Sequence, residues 1–171
     1  MEILQYNSVI ILTYLFVSLI ILLINKITGD KLNLYLFSCY RSSLLNPLTY
    51  VRLLTHVLGH NSWTHFMNNF IYILLVGPMI EEKIGSINLL IMMVITAIVI
   101  GIIHLIFSKK RILGASGIVY MLITFSSATN IITGKIPMTL ILICLFYIIN
   151  EIYNYSSEEI NDKGYMFAKL I

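Results

Sequence analysis

Long apolar runs alternate with short polar stretches along the chain, and the lengths of the runs predict helices that cross a membrane. Residues 8–27 and 87–107 are almost entirely apolar. Each run reaches the roughly 20 helical residues needed to cross about 30 Å of hydrocarbon. Three further runs are mostly apolar but carry polar residues, at 63–80, 115–132 and 136–153. We therefore predict five transmembrane helices.

The segment between the first two predicted spans, residues 28–62, has a different pattern. It mixes Leu and Tyr with Lys31, Arg41 and Arg52, so it is too polar to cross the bilayer and too apolar to be a free linker. We expect it to lie in the membrane interface. The first span is too long for a signal-peptide core, follows no basic residue and precedes no small-residue cleavage site, so we expect the mature chain to keep it.

Composition sets the class of protein. Of the 171 residues, 58% are hydrophobic and 11% are charged, and the mean hydropathy is +0.90, which excludes a water-soluble domain. We expect an all-α polytopic membrane helix bundle, a single domain over residues 1–171. The formal net charge of +3 is not gathered on a basic helix or an aromatic reading surface, so the expected partner is the lipid bilayer rather than nucleic acid.

Polar side chains inside the predicted spans are informative because lipid offers them no hydrogen-bonding partner. The span at 63–80 carries His65 and Asn69 four residues apart, which places both on one face of a helix. Ser116 is in the first turn of the span at 115–132, where unpaired backbone N–H groups and the positive end of the helix dipole favour an anion.

These two spans are both even-numbered in the predicted order, so their amino-terminal ends lie on the same face of the membrane. His65, Asn69 and Ser116 can therefore lie at similar depth. A serine hydroxyl close to backbone N–H groups and two side-chain donors has the components of an acyl-transfer centre. The component still missing is a base.

At these residues the sequence resembles the rhomboid family of intramembrane serine proteases. The likeness runs in order from about residue 52 to residue 168 and includes R-L-L-T at 52–55, H-N-S-W-T-H-F-M-N-N at 60–69, G-P-M-I-E-E-K-I-G-S at 77–86 and G-A-S-G-I-V-Y at 114–120. Alone, G-A-S-G is a weak signal. It becomes a strong one after an H-x-x-x-N at the start of an earlier span and a G-x-x-x-E-x-x-x-G connection.

The resemblance implies a serine endopeptidase that cleaves transmembrane protein substrates through an acyl-enzyme and needs no metal or cofactor. It makes Ser116 the nucleophile. It also assigns His65, Asn69 and Gly114 to the oxyanion hole, alongside the Ser116 backbone. Gly114 and Gly117 would let the chain and the substrate approach closely.

The largest departure from the family concerns the general base. The family has a histidine at the start of a sixth span, in an A-H-x-x-G pattern, whereas here Lys169 follows Ala168 and the chain stops two residues later. Three explanations are open. The chain is a version of an active protease truncated or frameshifted before or at the sixth helix, or an inactive rhomboid-like protein that binds other membrane helices, or a Ser-Lys enzyme with Lys169 as base. The last requires a lysine whose pKa is lowered by burial.

Charge and resemblance disagree about orientation. Basic residues concentrate on the side reached after the first and third spans, so the positive-inside rule puts the amino terminus outside. The family implies the reverse: a cytoplasmic amino terminus, with the active site opening to the outer face of the plasma membrane. We adopt the family's orientation because basic residues of the interfacial segment can be committed to local contacts.

Other polar residues have simpler interpretations. His60 and His65 are five residues apart and no carboxylate joins them, so a metal site is not expected. A G-x-x-G pattern at the start of a span is, on its own, typical of close helix packing. Residues 81–83 are predicted to form a solvated turn that ends at Gly85.

Overall fold

The computed structural model describes residues 7–108 and 110–131, together with scattered positions from 138 to 149. Regular secondary structure in this part of the chain is helical, so the all-α prediction is confirmed there. The elements are α1 (Val9–Ile27), α2 (Lys31–Tyr35), α3 (Pro47–Thr55), a 3-10 turn (His56–Leu58), α4 (Trp63–Ile84), α5 (Ser86–Phe107) and α6 (Ser116–Ile131). The chain divides into two compact units, Met1–Ser126 and Ser127–Ile171, and the contacts of the candidate site lie within the first.

Two of the predicted spans are helices long and apolar enough to cross a membrane. These are α1, with 19 residues, and α5, with 22. Helices also occur at the second and fourth predicted spans: α4 continues to Ile84, past the predicted end at residue 80, and the apolar part of α6 is the shorter stretch Ser116–Ser127. The fifth predicted span, 136–153, falls largely outside the described residues. The total of five spans and the single domain over the whole chain stay predictions.

The ends of α4 follow from local chemistry. Ser62 Oγ accepts the backbone N–H of His65 over 3.1 Å, which satisfies one of the unpaired donors in the first helical turn. At the other end, Gly85 has φ +84°, a conformation that costs glycine little and stops the helix. The sequence predicted that Gly85 ends a turn at 81–83, whereas these residues are helical and Gly85 follows the last residue of α4.

Two glycines allow neighbouring helices to pack closely. A Cβ atom on Gly77 would lie 2.6 Å from Ile11 Cδ1, and one on Gly101 would lie 2.8 Å from Leu53 Cδ2. Because glycine has no side chain at these positions, α4 can pack closely against α1, and α5 can pack closely against α3. Small residues serve this purpose in membrane helices because packing has to supply the attraction between helices.

Glu81 corrects the prediction of a solvated turn at 81–83. Its side chain is only 4% exposed. It accepts the backbone N–H of Ile10 over 2.9 Å and that of Ile11 over 3.1 Å, and the Ser86 hydroxyl also donates to it over 2.6 Å. The carboxylate thus caps the start of α1, where unpaired N–H groups and the positive end of the helix dipole stabilise negative charge.

The interfacial segment, residues 28–62, is held by its own basic residues. Arg52 Nε donates to the Tyr35 carbonyl oxygen over 2.9 Å, and the guanidinium carbon lies 4.4 Å from the centre of the Tyr40 ring, a cation–π distance. Arg41 donates to carbonyl oxygens at the end of α5. The expected commitment of basic residues to local contacts is therefore present.

Candidate active site

The loop that leads into α6 is attached to the interfacial segment by a short antiparallel bridge. Cys39 N–H donates to the Ile112 carbonyl over 2.8 Å, and Ile112 N–H donates back to the Cys39 carbonyl over 2.9 Å. Paired backbone bonds of this kind fix both the separation and the register of two chain segments. The bridge therefore holds the chain four residues before Ser116.

Two further bonds hold the residues directly before Ser116. Gly114 N–H donates to the His56 carbonyl over 2.9 Å, and Ala115 N–H donates to His60 Nε2 over 3.4 Å. Both donors belong to buried residues, where an unpaired N–H would cost free energy. We call Cys39, His56 and His60, with the loop atoms they bind, the α6 clamp.

His60 acts in the clamp as a neutral hydrogen-bond acceptor. It is fully buried, and its Nδ1 lies 3.2 Å from the Leu58 carbonyl oxygen. These partners assign the proton to Nδ1 and leave Nε2 free to accept the Ala115 N–H. Burial, reinforced by the nearby His65, lowers the pKa of His60 to about 3, so the ring stays uncharged at neutral pH.

Aromatic rings surround His60. Ring centroids lie 5.1 Å away for His65, 5.4 Å for Phe66 and 5.7 Å for Phe70, and the first two contacts are edge-on, a favourable arrangement for aromatic pairs. The sequence did not predict this role for His60, which was weighed and rejected as a base and as half of a metal pair. Its place inside the rhomboid-like stretch at 60–69 was the available signal.

His65 lies directly against Gly114. A Cβ atom on Gly114 would come within 2.6 Å of His65 Nε2, and Gly114 also has φ +120°, a backbone conformation that residues with side chains rarely adopt. Glycine is therefore required here for two independent reasons. The structure thus brings together two of the residues that were predicted to share an oxyanion hole.

Asn69 is buried one turn further along α4. Its Nδ2 donates to the His65 carbonyl over 2.9 Å, so this bond lies within the helix. His65 and Asn69 share a helix face, as their spacing indicated. The assignment of Asn69 to an oxyanion hole stays a prediction.

Ser116 is the first residue of α6 and is partly exposed, whereas Ala115 before it is fully buried. A hydroxyl at this position lies at the positive end of the helix dipole. Gly117, next along the chain, faces α5, because a Cβ atom there would overlap the Ile100 side chain. Gly117 therefore allows α6 to pack closely against α5.

Lys169, the residue at the expected position of the base, lies outside the described residues. His56 is buried, with Nδ1 3.1 Å from the carbonyl oxygens of Arg52 and Leu53, and burial lowers its pKa. His104 Nε2 lies 2.7 Å from the Lys110 carbonyl oxygen. Among the described residues, no group of three or more His, Cys, Asp or Glu side chains is arranged to hold a metal ion.

Two apolar helices of membrane length indicate a helical membrane protein, in which the residues directly before Ser116 are held against His56, His60 and His65. A family model for the Rhomboid domain matches residues 47–166, and the chain belongs to that family. It is also similar to the Rhomboid protease GlpG of Haemophilus influenzae, with 31% identity over 74 residues. That match covers 43% of this chain and 38% of the relative.

Proposed function

We propose that this protein is an intramembrane serine endopeptidase of the rhomboid type, with Ser116 as its nucleophile. The observation that supports the proposal most is the α6 clamp together with the contact of His65 on Gly114. These contacts hold the start of α6 beside the start of α4. Family membership then supplies the reaction: hydrolysis of a peptide bond in a transmembrane protein substrate.

The reaction would proceed through an acyl-enzyme. Ser116 Oγ bonds to the carbonyl carbon of the scissile peptide and gives its proton to a base, and the carbonyl oxygen becomes an oxyanion. The C–N bond then breaks and the amine leaves with a proton. Water hydrolyses the resulting ester and restores the serine. The oxyanion would receive hydrogen bonds from the Ser116 backbone N–H and from the side chains of His65 and Asn69.

Rigid donors matter because a hydrogen bond that is already in position costs no reorganisation when charge develops. Loss of one such donor typically reduces kcat by about 10²–10³-fold. In this protein the donors would be positioned by contacts distant in sequence: His60 acts on Ala115, and His65 rests on Gly114. The same contacts limit the movement of Ser116 relative to α4.

A second candidate is a non-catalytic relative that binds transmembrane helices. It is favoured by the surroundings of three histidines in the described part of the chain, because His56, His60 and His104 each have a ring nitrogen at hydrogen-bonding distance from a backbone atom. A histidine held in this way is less available to take a proton from Ser116. Lys169 would be the base only in the Ser-Lys mechanism.

The test is cleavage of a reporter transmembrane substrate in proteoliposomes. The variants are Ser116→Ala and Lys169→Ala, with Thr124→Ala as a control on the exposed side of α6. The peptidase proposal expects cleavage by the wild type and by Thr124→Ala and none by Ser116→Ala. Loss of cleavage in Lys169→Ala would support the dyad.

Absence of cleavage by every protein would contradict the peptidase proposal. Binding of the reporter helix would then be measured by energy transfer in the same liposomes. Binding without cleavage would favour the non-catalytic helix-binding function. Equal cleavage by the wild type and Ser116→Ala would exclude serine chemistry at this position.

A further inference from the structure

Three exposed cations gather where α5 ends. Lys110 and Arg111 follow the helix within four residues, and both are exposed. Arg41, from the interfacial segment, reaches the same place: its Nε donates to the Leu105 carbonyl over 3.3 Å and its Nη2 donates to the Ile106 carbonyl over 3.0 Å. These bonds cap the carboxyl end of α5, where a cation is stabilised by the helix dipole.

The bridge between Cys39 and Ile112 brings these cations close together. Arg41 lies two residues after Cys39, and Lys110 lies two residues before Ile112, so the bridge brings together the two segments that carry them. Arg111 is adjacent to the bridge. Like charges on neighbouring segments repel, and a bound anion would relieve that repulsion.

Among the described residues, the charge balance at this end of the helices is positive. Lys26 and Lys31 are exposed there too, and Asp30 is the acidic residue that the described part of the chain places beside them. At the opposite end, Glu82 and Lys83 are both exposed and balance each other. The field around the end of α5 therefore attracts anions.

The depth of the cations in a membrane follows from the length of α5. Its 22 residues extend about 33 Å at 1.5 Å per residue, roughly the thickness of the hydrocarbon core, so its end lies near the lipid phosphates. Apolar side chains are exposed in the same segments as the cations: Phe107, at the end of α5, is 82% exposed, and Leu45, on the interfacial segment, is 96% exposed. At a membrane surface, apolar side chains usually lie in the acyl region and cations lie at the level of the lipid headgroups.

We propose that Arg41, Lys110 and Arg111 form a binding site for the phosphate of an anionic phospholipid. Two bonds to α5 hold the Arg41 guanidinium in place, and its Nη1 makes no hydrogen bond within the described part of the chain. A guanidinium fixed in this way presents its remaining donors to a phosphate without further ordering. The site is independent of Ser116 and of the proposed peptidase activity.

The test is a lipid titration of the full chain in a neutral detergent, read by native mass spectrometry. The lipids are phosphatidylglycerol, which is anionic, and phosphatidylcholine, which is zwitterionic. The variants are Arg111→Gln and Lys110→Gln. Two lysines provide matched controls for the loss of one charge: Lys31→Gln at the same end and Lys83→Gln at the opposite end.

We expect the wild type to retain phosphatidylglycerol in preference to phosphatidylcholine. Removal of Arg111 or Lys110 should weaken the binding of phosphatidylglycerol about fivefold each, while both control variants stay near the wild-type affinity. Arg41→Lys, which keeps the charge but loses the planar fork, should also bind the lipid less tightly than the wild type.

If the wild type retained the two lipids equally, that result alone would overturn the proposal. An equal loss in Lys31→Gln and Arg111→Gln would show diffuse charge attraction in place of a site. Inorganic phosphate serves as competitor. If it displaced phosphatidylglycerol at a concentration close to that of the lipid, the site would belong to a soluble phosphate.

Discussion

The backbone N–H of Ala115 donates to Nε2 of His60 over 3.4 Å, so a histidine 55 positions earlier in the chain holds the residue that precedes Ser116. Both partners are fully buried, so the bond is shielded from bulk solvent. The bond therefore joins two segments that are far apart in sequence.

Replacement of His60 by leucine should destabilise the fold by about 1–3 kcal/mol, because the buried Ala115 N–H would lose its acceptor. His104→Leu, at a half-buried site, is the matched control and should cost less. Thermal denaturation in detergent measures both. Equal losses in the two variants would contradict a specific role for His60.

The free energy of unfolding should fall in acid, because the folded protein holds His60 in its neutral form. Its folded-state pKa of about 3 lies below the value of about 6.5 for an unfolded histidine, so the unfolded chain binds the proton first. The stabilisation is complete above pH 6.5 and is lost as the pH falls toward 3. At pH 5 the loss should be about 2 kcal/mol. Denaturation at pH 7 and pH 5 should therefore show a smaller difference in His60→Leu than in the wild type.

Gly114→Ala should disrupt the site more than Gly85→Ala does. Both glycines have positive φ, at +120° and +84°, but a Cβ atom on Gly114 would meet His65 Nε2 at 2.6 Å, whereas one on Gly85 would meet nothing within 4 Å. The comparison separates steric overlap from backbone strain, which costs about 1–3 kcal/mol. Melting temperature in detergent is the measurement. A Gly85 variant as unstable as the Gly114 variant would mean that the His65 contact adds nothing.

Glu81→Gln should destabilise the protein by about 2 kcal/mol. The carboxylate accepts two N–H groups of α1 with its two oxygens, whereas the amide of glutamine has one oxygen and no negative charge. Glu82→Gln is the control, since Glu82 is the exposed neighbour with the same side chain. Chemical denaturation in detergent would compare them. No difference between the two variants would exclude the cap as a source of stability.

Orientation can be tested with a cysteine placed at each end of the helices. In a Cys144→Ser background, Ser43→Cys, at an exposed polar position of the interfacial segment, should react with a membrane-impermeant maleimide added outside intact cells, and Glu82→Cys should not. Cys39 does not interfere, because it is 1% exposed and burial raises the pKa of its thiol more than the nearby Arg52 lowers it. The opposite labelling pattern would follow the positive-inside rule.

Local sequence was sufficient to locate much of the fold. The apolar runs predicted α1 and α5 because length and hydropathy are properties of a single segment. The four-residue spacing of His65 and Asn69 predicted their shared face for the same reason. Ser62 and Gly85, at the ends of α4, also act within their own neighbourhood.

Only the tertiary structure decided which polar residues are buried and what they bind. Glu81 sits in an acidic and basic run that is typical of a solvated turn, and it is buried because α1, 70 residues earlier, brings unpaired N–H groups to it. His60 is an acceptor only because the start of α6 lies against it. The residues around a polar side chain do not indicate a partner far away in sequence. Hydropathy and helical spacing, in contrast, are properties of consecutive residues.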